Sequence, residues 1–214
     1  MEHTTLWLIR HGETDWNTER RFQGQTDIPL NCTGREQAGL LATRLGAEQT
    51  RTRFAAIYSS DLSRAMVTAA PIGRQLGLDI MPEPALRERH YGVLSALTPE
   101  EMAIRHPEAH ARWLVRDPDY AMENGESLRS FSDRVLTSLA IIAARHPAKQ
   151  VIVVAHGGVL DCVYRAATGM DLSAKRQHAL LNASVNRVRC LNGQFRVEAW
   201  GDVAHLEAEA LNEV

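Results

Sequence analysis

Two histidines and two arginines stand where they could handle a phosphoryl group. Arg10-His11-Gly12 closes one short apolar run, and His156-Gly157-Gly158 closes another. Arg64 follows a third run through Ser59-Ser60-Asp61-Leu62-Ser63. A guanidinium fork matches the geometry of phosphate oxygens, and a neutral imidazole nitrogen is a competent nucleophile. The glycine after each histidine lets another group approach the backbone closely. A metal is the rival use for paired histidines. Arginine beside the site would repel a cation, however, and no carboxylate completes a facial ligand set. The pattern points to phosphate.

The elements that must position these residues alternate in kind. Thr5 to Arg10 is a short apolar run and reads as a buried strand; residues 54–58 read as a second. Val151-Ile152-Val153-Val154-Ala155 is β-branched and continuous, as expected of a strand covered on both faces. Helical spacing follows Thr33-Gly34, and Asp61 offers an N-cap for a helix to Leu76, stopped by Gly77. Further helices are predicted over 127–145 and 158–167, and Asn192-Gly193 predicts a type I′ turn between strands at 185–191 and 195–200. The expected fold is an α/β three-layer sandwich, with a mostly parallel sheet flanked by helices on both faces, in a single domain spanning 1–214. Residues 82–125, rich in Pro, Glu, His and Arg, are expected to form an irregular cap of short helices over the site. In such sheets ligands bind outside the carboxyl ends of the strands, where Arg10, His11, Arg64 and His156 converge.

Composition excludes several classes. In 214 residues, 24 Lys and Arg oppose 26 Asp and Glu, for a net charge of -2. That balance gives no general grip on nucleic acid or an anionic membrane, so anion binding must be local. No apolar stretch is long enough to span a bilayer, and no secretory signal is readable at Met1-Glu2-His3. Cys32, Cys162 and Cys190 are three scattered thiols, neither a disulfide framework nor a zinc site. A cytoplasmic protein is expected. On that expectation the glycosylation-type triplets at Asn31 and Asn182 carry no meaning.

Leu8-Ile9-Arg10-His11-Gly12-Glu13-Thr14-Asp15-Trp16-Asn17 resembles the signature of the histidine phosphatase superfamily, the phosphoglycerate-mutase-like group. Arg21-Phe22-Gln23-Gly24-Gln25-Thr26-Asp27, Ser59 to Ala65, Leu86-Arg87-Glu88, Asn124-Gly125-Glu126-Ser127 and His156-Gly157 follow in the family's order. The resemblance implies that His11 is the nucleophile that becomes phosphohistidine. It implies that Arg10, Arg64 and His156 hold the phosphoryl oxygens, and that Glu88 is the general acid and then the base. Asn17, Gln23, Gly24, Tyr91 and Gly157 become substrate-binding residues. No metal is implied, and relatives that pair suggest a homodimer.

The same site serves a phosphatase or a mutase. Glu88-Arg89-His90-Tyr91-Gly92 looks like the cofactor-dependent phosphoglycerate mutases. Against that, the lysine and arginine pair with which those mutases grip a second acidic group is missing between Leu94 and Gly125. Gln23-Gly24 also stands where they place a small hydroxyl residue. The expectation is therefore a hydrolase of small phosphomonoesters through a phosphohistidine; the alternative is a mutase, which alone would need 2,3-bisphosphoglycerate. Arg89, Tyr91, Arg112 and Arg116 are candidates to shape substrate choice, with Arg105 a weaker one. A non-catalytic phosphate-binding module is disfavoured because His11, His156, Arg10, Arg64 and Glu88 are all present. Trp16 is expected beneath the nucleophile loop, Glu13 and Asp15 to satisfy loop backbone or pair with an arginine, and Arg20-Arg21 to be solvated surface. Metal binding by His106 and His110 is disfavoured by Pro107, which reads as a helix start.

Overall fold

The computed structural model describes residues 3–206. Its sheet has six strands: β1 (Thr4–Arg10), β2 (Phe54–Ser59), β3 (Ile80–Pro82), β4 (Gln150–Ala155), β5 (Val185–Leu191) and β6 (Gln194–Asp202). They lie in the order β3-β2-β4-β1-β5-β6. The first four strands run parallel, and β5 and β6 extend the sheet in antiparallel fashion.

The apolar runs in β1 and β4 are continuous because both faces of the sheet are covered. Leu6, Leu8, Val151 and Val153 pack against α6 (Leu128–Arg145) and α7 (Gly157–Thr168). Trp7, Ile9, Ile152 and Val154 point the other way, onto α2 (Cys32–Glu48) and α3 (Ser63–Leu76). Burying each such side chain contributes about 1.5–3 kcal/mol, so the two central strands are the most firmly held part of the sheet. The three-layer expectation is met.

Local chemistry sets the boundaries. Asn31 and Ser127 cap α2 and α6 by accepting from Gly34 N and Ser130 N. Asn192 (φ 50°) and Gly193 (φ 75°) make the left-handed pair that a type I′ hairpin requires. The expected cap at Asp61 is not found. Helix α3 begins two residues later behind Leu62, with no side-chain cap, because both Asp61 oxygens are taken by Arg87 at 2.7 and 2.5 Å. Strand β3 is too short, at three residues, to show a period.

Between β3 and α6 the chain forms two 3-10 turns, α1 having already appeared as a single turn at Asp15–Thr18, and then α4 (Pro99–Arg105) and α5 (Pro107–Val115). Thr98 and Glu101 form a reciprocal capping box on α4. This segment builds its own small core from Leu94, Leu97, Met102 and Met122.

Candidate active site

The register of β1 against β4 brings the two histidines together. Arg10 pairs with Ala155, so the residues that follow, His11 and His156, leave the sheet side by side. His11 N donates to Ala155 O at 2.9 Å, and the imidazole centroids lie 5.2 Å apart. Ser60, one residue beyond β2, joins from the other flank: its Oγ lies 2.8 Å from His156 Nε2.

His11 has a defined tautomer. Its Nδ1 lies 2.7 Å from the Gly12 carbonyl, which can only accept, so Nδ1 carries the hydrogen and Nε2 keeps its lone pair. Burial, then the charges of Arg64 and Arg10, hold His11 well below the usual imidazole pKa of 6.5. Burial and Arg64 do the same to His156. Arg64 is fully buried; its Nη1 and Nη2 donate to Thr26 O (2.8 Å) and Gly24 O (2.6 Å). Burial lowers its pKa to about 10, which leaves it charged at neutral pH. Arg10 is anchored through Nη1 on the Leu180 carbonyl. Arg64 Nε and His156 Nδ1 are buried without a hydrogen-bond partner. Unpaired buried polar groups are costly and uncommon, and of these two residues only Arg64 lines a cavity, where a polar ligand would satisfy it.

Asn17 accepts from Thr14 N, Thr14 Oγ1 and Asn182 Nδ2 through its amide oxygen. That fixes the amide and turns its donor side free for a ligand. Gln23 Nε2 donates to Thr14 Oγ1 at 2.7 Å. Gly24 has φ 53° and lies against Tyr91, where a side chain would crowd the ring. Glu88 is held by the backbone: Oε1 accepts from Arg89 N (2.7 Å) and Oε2 from Gly158 N (2.9 Å), in the first turn of α7. A Cβ on Gly158 would fall on Glu88 Oε1, so the carboxyl reaches the helix end only because residue 158 is glycine.

These groups surround one cavity of about 480 Å³ at the carboxyl end of the sheet. Arg10, His11, Asn17, Gln23, Gly24, Arg64, Glu88, Tyr91 and Gly157 line it, together with Arg20, Arg21, Trp113, Arg116, Asp161 and Arg176. His156 is not on the wall; it lies fully buried behind it, against Ser60. A smaller cavity of about 80 Å³ adjoins, sharing Tyr91, Trp113, Arg116, Gly158 and Asp161, with Arg89 and Arg112 on its far side.

Several sequence expectations need correction. Trp16 is half-buried with the Arg21 guanidinium 6.0 Å from its ring centroid. The loop is supported by Gly34, whose carbonyl a Cβ on Gly12 would strike, and by Thr68 Oγ1, which accepts from Gly12 N. Arg21 is not solvated: it bonds Ala96 O and Glu101 at 2.5 Å each. The Glu13 carboxylate accepts from the Asn31 side-chain amide, Asn31 Nδ2, rather than from loop backbone, and its carbonyl accepts from Asn31 N. Arg89 turns inward and bonds the Glu126 carbonyl, while His90 Nδ1 accepts from Gly92 N. Arg105 is exposed and outside both cavities. Among the described residues no group of three or more His, Cys, Asp or Glu is placed to hold a metal ion.

Sequence reasoning missed Asn182, which donates to His11 O at 2.9 Å, and Asp161 on the cavity wall. Neither sits in a strand end or a histidine motif, and only the fold brings them in.

The chain belongs to the histidine phosphatase superfamily (branch 1), whose family profile matches residues 6–203. It is 40% identical to metal-independent phosphoserine phosphatase of Arabidopsis thaliana, over 97% of this chain and 85% of that one. It is 39% identical to phosphoglycerate mutase-like protein 4 of the same plant, over 97% and 89% respectively. The structure of Bacillus stearothermophilus YhfR matches with a TM-score of 0.84 at 35% identity, covering 95% of this chain and all of that one. The expected hydrolase of histidine phosphatase type agrees with these relationships. No helix among the described residues is long and apolar enough to cross a membrane.

Proposed function

We propose that the chain hydrolyses a small phosphomonoester in two steps at His11. The observation that carries this reading is the unprotonated Nε2 of His11, fixed by the Gly12 carbonyl and set among Arg10, Arg64 and His156. In the first step the Nε2 lone pair bonds to phosphorus as the bond from phosphorus to the leaving oxygen breaks. Glu88, in its acid form, delivers its proton to that oxygen. In the second step Glu88 takes a proton from water, the water oxygen bonds to phosphorus, and the bond to Nε2 breaks. Inorganic phosphate leaves and His11 returns neutral.

Phosphoryl transfer depends chiefly on positioning and charge stabilisation. Arg10, Arg64, His156 and the Asn17 amide supply both for the phosphoryl oxygens, with Gly157 at the start of α7 beside them. Arginine charge fills the role a metal would otherwise take, in keeping with a relative named metal-independent. Gln23, Gly24 and Tyr91 shape the wall beyond the phosphate, and residues 82–125 serve as its cap. A cavity of about 480 Å³ suits a small metabolite. The free thiols of Cys32, Cys162 and Cys190 fit the reducing cytoplasm.

Phosphorus NMR of 3-phosphoglycerate and an aryl phosphate, with chelator present and with or without 2,3-bisphosphoglycerate, tests the reading. Release of inorganic phosphate without 2-phosphoglycerate is expected, with an acid-labile phosphoryl group trapped on His11. Bisphosphate-dependent formation of 2-phosphoglycerate would make the chain a mutase instead.

A further inference from the structure

The tautomer of His11 depends on one peptide unit, and that unit begins at a glycine. The Gly12 carbonyl that receives Nδ1–H belongs to the peptide joining Gly12 to Glu13. In a trans peptide the C=O and the N–H point in opposite directions, so whatever holds Glu13 N–H also aims the Gly12 carbonyl. Glycine has no Cβ to restrict rotation, which makes a peptide beside it easy to turn over. Turned over, this peptide would present Glu13 N–H to Nδ1. A donor there requires Nδ1 to keep its lone pair, so the hydrogen would move to Nε2 and the nucleophile would be lost.

The group that holds Glu13 N–H is Gln37, whose Oε1 accepts from it at 2.9 Å. Gln37 lies in the second turn of α2 and is 1% exposed. It lines neither cavity, so it acts on the chemistry through the backbone and not by touching substrate. Two glycines let the helix come this close. A Cβ on Gly34 would strike the Glu13 backbone, and one on Gly12 would strike the Gly34 carbonyl. The first turn of α2 is thus seated on the peptide, and the Gln37 side chain reaches the N–H from there.

The preceding peptide, from His11 to Gly12, is held by different segments. Its carbonyl accepts from Asn182 Nδ2 at 2.9 Å, and its N–H donates to Thr68 Oγ1 at 3.0 Å. The Thr68 hydroxyl donates in turn to the Arg64 carbonyl at 2.7 Å. The peptide that sets the tautomer has the His11 ring at its carbonyl and Gln37 at its N–H. Imidazole, peptide and amide form one chain of hydrogen bonds in which each link polarises the next.

We propose that Gln37 is a positioning residue of the active site. By holding Glu13 N–H it keeps the Gly12 carbonyl on Nδ1 of His11, and so keeps Nε2 free to bond phosphorus. This rests on the phosphatase reading above, in which Nε2 attacks.

Nitrogen NMR of the full chain labelled with 15N-histidine reads the tautomer, because protonated and bare ring nitrogens have well-separated shifts. The His11 signals are those missing from His11→Ala. At neutral pH the parent should show Nδ1–H and a bare Nε2; the opposite tautomer in the parent would overturn the inference whatever the variants do. Gln37→Met, close in size but without an acceptor oxygen, should bring up the Nε2–H form and lower kcat on p-nitrophenyl phosphate about 10- to 100-fold. Inhibition by inorganic phosphate should change by less than about threefold, because Nε2–H can donate to a bound phosphate oxygen and both arginines remain. Gln37→Asn, which keeps the amide but draws it back by one methylene, should act in the same direction and serves if Gln37→Met does not fold. Gln37→Glu, which restores an acceptor oxygen at full reach, should return the parent tautomer and most of kcat. Variants that melt earlier yet keep the parent tautomer and kcat would make Gln37 a packing residue and overturn the assignment. Absence of aryl phosphate turnover in a parent with the Nδ1–H tautomer would bring down the phosphatase reading, and with it the catalytic part of this role, while the spectra still decide what sets the tautomer.

Discussion

The floor of the cavity and the segment over it are built on opposite plans. On the floor, His11, Arg10, Arg64 and His156 are at most 5% exposed, and each is tied to a stretch of chain distant in sequence. Arg10 reaches the Leu180 carbonyl, Arg64 the backbone of Gly24 and Thr26, and His156 the Ser60 hydroxyl. Over the cavity, α5 buries none of its residues fully, and Ile104, Leu114 and Val115 are 81%, 71% or 60% exposed, in the order Ile104, Val115, Leu114. The buried groups of the floor are over-determined by packing, whereas α5 is a lightly packed element that can change without disturbing them.

The strongest way to break this contrast is at His11, the proposed nucleophile. His11→Ala should lower kcat by about 10⁴-fold or more with little change in thermal midpoint, measured on an aryl phosphate. Turnover close to the parent's would remove His11 from the chemistry. Next comes Gly158→Ala, which must push the Glu88 carboxyl off the start of α7. A displacement of that kind costs about 100-fold in kcat; an unchanged kcat would show that Glu88 works from elsewhere.

Asp161→Asn probes the boundary between the two regions, because it leaves the buried Arg165 without its counter-charge. A loss of about 3 kcal/mol is expected in urea unfolding, and a loss below about 1 kcal/mol would mean the pair is not buried in solution.

Acid should act on the floor before the cap. The pKa values of His11 and His156 are depressed in the folded state, so the unfolded chain binds more protons in acid. Their contribution is complete above about pH 6.5 and is lost as pH falls through the folded values, by at most about 1.4 kcal/mol per pH unit for each group. Denaturant titrations at pH 7 and pH 5 should show the decline; equal stabilities would contradict a neutral buried pair. For the same reason kcat/KM should hold below pH 6.5 before its acid limb appears. At the far end of the scale, Ile104→Ser should change stability by less than about 0.5 kcal/mol, because the side chain lies in water.

The floor was legible in the sequence because strand ends carry their own marks. An apolar run that stops at Arg10-His11-Gly12 or His156-Gly157 announces both the strand and what it delivers. Parallel register then does the rest. Helix α6 was legible from Ser127 and its spacing, and the hairpin from Asn192-Gly193. What escaped depends on contacts between distant segments. Asn182 under His11 and Asp161 beside Arg116 have no local pattern, and Asp61, a good cap by type, was drawn away by Arg87. The left-handed turn at Arg116 could not be read, because no residue preference for arginine predicts it.

The bond from Asn182 to the backbone of His11 spans 171 positions, and Ala183 N bonds Arg10 O as well. During synthesis His11 leaves the ribosome 171 residues before the loop that braces it, an interval of about ten seconds or more at 5–20 residues per second. Strand β1 meanwhile awaits β4, on which its register depends. Over that interval the nascent chain carries His11 without the contacts that hold it in place. Competence of the proposed site therefore waits for Asn182, and chains cut short before that residue are expected to be inert on an aryl phosphate.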